Sequence, residues 1–234
     1  MDQFFIDRVE RIGPPQRCVP LTAEQEARLS KQLPESFMGF LREFGFGDYF
    51  NRKVQFCDPK DFHPLLTLLL AGDEDFSPKD CYVVSYTAFG VLNIWSERHE
   101  QFEIDLVDLW VTSSKLAPTE FAPIPETEGL TRSTDPNILA RTLVPVRDTN
   151  GDTYDAMDEL MFNRCVKMHG PLERGECYGF FPAIAMAGYN TRLRRVENIK
   201  RVSALEHFIF LAQLDTFHLV QLERGQYRQI RPIG

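Results

Sequence analysis

Asp148, Asn150, Asp152 and Glu159 stand at the first, third, fifth and twelfth positions of a calcium-loop spacing. Such a loop needs a glycine at its sixth position to turn sharply around the ion, and that position holds Thr153. The stretch reads instead as a polar turn before an acid-rich helix start, and no metal is expected there. Cys165 and His169, four apart, could touch one ion from a single helical face, but no second pair at ligand spacing accompanies them. Cys165 is expected in the core, and His169 at a helix C-terminus, where its charge complements the dipole. The other histidines, His63, His99, His207 and His218, are scattered, and no G-x-S-x-G, H-E-x-x-H, G-x-G-x-x-G or phosphate-binding loop occurs. No catalytic residue and no cofactor is assigned, and the chain is read as a non-enzyme. Arg192, Arg194, Arg195, Lys200 and Arg201 form one basic cluster, but Glu197 interrupts it and no aromatic interleaves it. It reads as a solvated or ion-paired face rather than a nucleic-acid contact.

The charge balance points the same way. The 234 residues carry a net charge of −8, the opposite sign from most nucleic-acid-binding chains. An acidic surface suits solubility and also docking to a basic partner. With 43% hydrophobic and 26% charged residues, the composition is that of a soluble globular protein. The longest apolar run, "PLLTLLLAG", is too short to span a membrane. "MDQFFIDRVERIG" has no basic stretch ahead of an apolar core, so it is not read as a secretory leader, and the expected compartment is the cytoplasm. Cys18, Cys57, Cys81, Cys165 and Cys177 are odd in number and widely spaced, as expected of reduced thiols.

The elements that must position these residues can be read in order. Thr22 to Gln25 is a capping box opening a short helix. Pro34 fits the first turn of a second helix, on which Leu33, Phe37, Phe40, Leu41 and Phe44 share a face. Gly45 ends that helix, and Gly47 is expected to serve a second turn. Asp58-Pro59 opens another helix through Leu65 to Leu70. "CYVVSY" and "VLNIW" flank Thr87-Ala88-Phe89-Gly90 as a hairpin, and Phe102, Ile104 and Leu106 alternate with Glu103 and Asp105 as a strand. "ILARTLVPVRD" is expected as a further strand, followed by an Asn-Gly turn and a helix bearing Met157, Leu160, Met161, Cys165 and Met168. A second capping box, Ser203 to Glu206, opens the last helix. Helices before strands argue for an α+β fold, with helices packed on a mainly antiparallel sheet. Two small α+β domains are expected, 1–115 and 137–234, joined by a linker at 116–136 that is rich in Pro, Thr, Ser and Glu.

Two stretches resemble known families. "LPESFMGFLREFGFGDYF", followed by Asp58-Pro59, Phe62, Phe89-Gly90 and Trp95, resembles the GAD-like domain, with Asn51-Arg52 standing where that family usually has a glycine. "LMFNRCVKMHGPLERGECYGFFPAIAMAGYN" resembles the C-terminal domain of type VI secretion immunity proteins, through Leu160, Phe162, Gly170, Leu172, Glu176, Tyr178-Gly179-Phe180 and Pro182-Ala183. The resemblance implies a non-enzymatic, cytoplasmic antitoxin that neutralises a cognate toxin effector, of the DNase type, in competition between bacteria. On that reading the partner is a basic nuclease domain, with no direct nucleic acid and no membrane. Its expected contacts are the acidic clusters Asp73-Glu74-Asp75, Glu126 with Glu128, and Asp148 with Asp152 and Asp155. Adaptor or regulatory binding to another protein is the alternative, and a hydrolase with an unrecognised site is a third class.

Overall fold

The computed structural model describes residues 1–117, 133–187 and 191–234. The expected Glu126 and Glu128 contacts, and most of the expected linker, lie outside them. Helices α1 (Gln3–Ile12), α2 (Ala23–Leu29) and α3 (Glu35–Phe44) come first, interrupted by the short strand β1 (Gln16–Val19). The capping box at Thr22 forms as read, with Thr22 accepting from the Gln25 amide and Gln25 reaching back. Gly45 ends α3 with φ of +67°. The chain then runs through β2 (Phe46–Tyr49), β3 (Val54–Phe56), α4 (Pro59–Leu70) and the meander β4 (Cys81–Thr87), β5 (Val91–Ser96), β6 (Glu100–Asp105) and β7 (Trp110–Ser113). After the undescribed segment come α5 (Pro136–Leu139), α6 (Phe162–His169), β8 (Glu176–Phe180), β9 (Ile199–Ser203), α7 (Ala204–Leu211), β10 (His218–Glu223) and β11 (Gln226–Pro232).

Nine strands make one sheet in the order β1-β2-β3-β4-β5-β6-β7-β10-β11, while β8 and β9 pair separately. Every pairing is antiparallel except β7 with β10, where Val111 lies opposite Leu219. This is the expected α+β architecture. The last two strands extend a sheet begun by the first half of the chain, so residues 1–115 and 137–234 share one sheet. The strands bury apolar side chains on both faces. On one face Val83, Ile94, Phe102 and Ile104 pack with α4, α6 and α7. On the other, Phe56, Val84 and Trp95 pack with Phe5 of α1, and with Phe37 and Phe40 of α3.

Four local expectations are corrected. The "ILARTLVPVRD" segment is α5 followed by a 3-10 turn (Ala140–Leu143), not a strand. Asp135 accepts from the Asn137 amide and Pro136 supplies a preset φ, the same entry chemistry as Asp58-Pro59. The expected helix through Met157 begins only at Phe162, because two carboxylates capture the amides before it. Gly47 makes no turn. It lies within β2, where a Cβ would come 2.8 Å from Cys18 Sγ, and the turn falls instead to Phe50, Asn51 and Arg52, all at positive φ. Ser203 stands at the N-cap of α7 and also ends β9 opposite Glu176, but its hydroxyl makes no capping bond.

Candidate functional site

The segment from Val146 to Phe162 is built around two aspartates. One Asp152 oxygen accepts from the amides of Thr153, Met161 and Phe162 at 2.9 to 3.1 Å, and the other lies 3.2 Å from Lys53 Nζ. Only 3% of the Asp152 side chain is exposed. Lys53 also donates to the Asp148 carbonyl at 2.6 Å and sits 4.9 Å above the Phe162 ring. Gly151 passes so close that a Cβ there would lie 2.8 Å from the Lys53 carbonyl oxygen. The loop is thus fastened to a post at the entrance to β3.

Asp155 repeats the device one step further on. One of its oxygens accepts from Met157 and Glu159, and the other meets Arg164 at 2.5 Å. Burial alone would raise its pKa, but Arg164 and these amides hold it below the usual carboxylate value. The Asp155 amide bonds to the Glu159 carbonyl, the Met161 amide bonds to the Thr153 carbonyl, and Tyr154 pairs with Leu160. The closed loop projects its apolar side chains outward: Tyr154 is 57% exposed and Met157 73%, beside exposed Leu160. The Ala156 amide ties the tip to the Arg194 carbonyl. A rigid, amphipathic knob with an aromatic and a methionine at its surface can anchor another protein with little ordering cost.

Of the acids expected to meet a partner, Asp148 is exposed, whereas Asp152 and Asp155 are internal braces. Asp73 and Asp75 both grip Arg231 at 2.6 Å, and Asp73 accepts from the amides of Asp75, Phe76 and Gly234. Glu74 is the exposed member of that trio. In the calcium-like spacing, Asn150 is turned to the amides of Val146 and Arg147. Among the described residues, no group of three or more His, Cys, Asp and Glu is arranged to hold a metal ion. His169 bonds to the Val196 carbonyl at 2.7 Å, while Cys165 is buried in the core. In the basic cluster, Arg194 pairs with Asp108 and Arg201 with Glu176, and Lys200 lies 4.9 Å from the Phe181 ring centre.

Sequence reasoning missed one acidic group. Glu103, Asp105 and Asp108 lie on and just after β6, and burial raises the pKa of all three. The alternation of Glu103 and Asp105 with Phe102, Ile104 and Leu106 was visible, but it signalled only a solvent-facing side, and Asp108 carried no signal of its own. It also missed the brace between Lys53 and Asp152, whose residues lie far apart in the chain.

Two family models match the chain in tandem. Residues 3–108 match the GAD-like domain, and residues 143–215 match the model described as T6SS immunity protein Tdi1, C-terminal. Lys53 therefore lies in the GAD-like match, while the knob it holds lies in the Tdi1 C-terminal match. Among solved structures, the crystal structure of Atu4351 from Agrobacterium tumefaciens is similar over 98% of both chains, with 26% identity and a TM-score of 0.79. No curated protein matches the chain.

Proposed function

We propose that this chain is a type VI secretion immunity protein that binds a cognate toxin and silences it by covering its working surface. The observation that carries this reading is the match of residues 143–215 to the Tdi1 C-terminal model, directly behind the GAD-like match. The protein acts by binding rather than by catalysis, in the cytoplasm of the cell it protects. No helix among the described residues is long and apolar enough to cross a membrane. The toxin is a basic nuclease domain of the DNase type: an enzyme that grips DNA must present cationic surface, and a chain of net charge −8 competes for it. The contact is centred on Tyr154, Met157 and Leu160, with Asp148 supplying charge at the rim and Asp152 and Asp155 holding the knob in shape.

The test is co-expression with the toxin encoded beside this gene, combined with binding kinetics across a salt series. The chain should restore growth and bind one-to-one with a Kd on the order of nanomolar, roughly −12 kcal/mol. Association should slow steeply with added salt while dissociation changes less. Met157→Asp should weaken binding by about tenfold or more without lowering Tm. Cells that survive the toxin without this protein, or no binding at micromolar concentration, would end the immunity reading. Intact binding by Met157→Asp would move the contact elsewhere.

A further inference from the structure

A cavity of about 430 Å³ opens where the two matched segments meet. Phe62 of α4 and Tyr86 of β4, with ring centres 5.4 Å apart, line it together, and the chain at Phe46 of β2 and Phe56 of β3 borders it. The Tdi1 C-terminal segment completes it with Arg174, Gly175 and Leu205. Neither segment alone encloses it.

The charged groups that line it differ in how their charge is satisfied. Arg174 donates to the carbonyls of Arg17 and Phe46, both at 2.7 Å. Asp58 and Asp61 line it as well. Asp58 is fully engaged, accepting from the Lys60 amide, from Gln25 at 3.0 Å and from Arg28 at 2.6 Å. Asp61, one helical turn on, is exposed and has no ion-pair partner among the described residues. Burial and the neighbouring charge of Asp58 raise its pKa by more than Arg28 and Lys60 nearby lower it, so its anionic form gains from a further cation.

A pair of aromatic rings beside a carboxylate with no ion-pair partner suits a cation on an apolar stem. The methylenes cover the rings, the quadrupole of the rings attracts the charge, and the carboxylate accepts its hydrogen bonds. A neutral aliphatic group would cover the rings but leave Asp61 unpaired. We propose that this cavity receives a single lysine or arginine side chain of the toxin, with its stem on Phe62 and Tyr86 and its charge at Asp61. The inference rests on the immunity reading and adds a second anchor, one that exists only when both matched segments are assembled.

The test compares the full chain with its Asp61→Asn and Leu205→Trp variants in biosensor kinetics, against the catalytically silenced toxin encoded beside this gene. Asp61→Asn removes the charge at an exposed position and leaves the fold intact, while Leu205→Trp fills the cavity and leaves the charge. Each should weaken binding by about tenfold or more, mainly through faster dissociation. The double variant should lose little beyond the weaker single, because both changes remove one contact. If Leu205→Trp does not fold, judged by its melting curve, Asp61→Asn decides alone. Wild-type binding with undiminished binding by the folded variants overturns the cavity and leaves the immunity reading standing. Failure of the wild-type chain to bind overturns both.

Discussion

Two carboxylates show how far burial alone falls short of deciding a charge. Burial would raise Asp73, yet hydrogen bonds from Arg231 and three backbone amides bring it to about 2. Asp105 accepts from the amides of Val107 and Asp108, and burial, with the charge of Asp108 beside it, drives it upward despite Arg194 nearby. The signs of linkage are therefore opposite. Asp73, with a folded pKa below its unfolded one, contributes stability above about pH 4 that is lost as pH falls toward about 2. Asp105, with a raised folded pKa, costs stability where it is ionised, and that cost disappears on acidification. Asp73→Asn should lower stability by about 1–2 kcal/mol near neutral pH, the difference closing in acid. Asp105→Asn keeps an oxygen for both amides and should raise stability by about 1 kcal/mol at about pH 8, with no gain at about pH 4. Urea unfolding over a pH series checks both, and parallel curves for the two variants would refute the assignment. The sequence marked Asp73 as a partner contact because a run of acids looks solvated. Arg231, its actual partner, lies at the far end of the chain, and nothing local announces it.

Elements were legible where their own residues set them. Thr22 to Gln25, Asp58-Pro59, Gly45 and the hairpin at Gly90 each carry chemistry that acts over a few residues, and each forms as read. Asp135-Pro136 carries the same signal as Asp58-Pro59, but Leu143, Val144 and Val146 read more loudly as a strand. Ser203 has the right cap chemistry and stands at the N-cap, yet its hydroxyl makes no capping bond. The knob was illegible as a unit: Met157 and Leu160 fit helical spacing, and only the amides captured by Asp152 and Asp155 prevent a helix there. Gly47 tests this view of elements shaped by their neighbours. A methyl group at that position would meet Cys18 at 2.8 Å and Pro15 at 2.9 Å. Gly47→Ala should push β1 from β2 and cost about 1–3 kcal/mol, read as a lower Tm. An unchanged Tm would mean that the edge gives way freely.

At the scale of the molecule, composition and element order revealed the α+β class, but no local pattern announced that β10 would join β7. That parallel pairing, the shared cores and the brace from Lys53 to Asp152 tie the chain across its middle. Residues 1–115 and 137–234 made as separate pieces should each lack a cooperative melt by circular dichroism and be cut quickly by protease, since each leaves apolar sheet surface bare. A sharp transition for either piece would show that the shared sheet is dispensable. The parallel strand also sets an order of events during synthesis. β7 leaves the ribosome long before β10 does, so its unpaired edge must wait through the translation of the entire Tdi1-like segment, and unpaired edges invite aggregation. On the immunity reading, protection therefore starts only once β10 and β11 have been made, and a chain stalled before them cannot yet defend the cell.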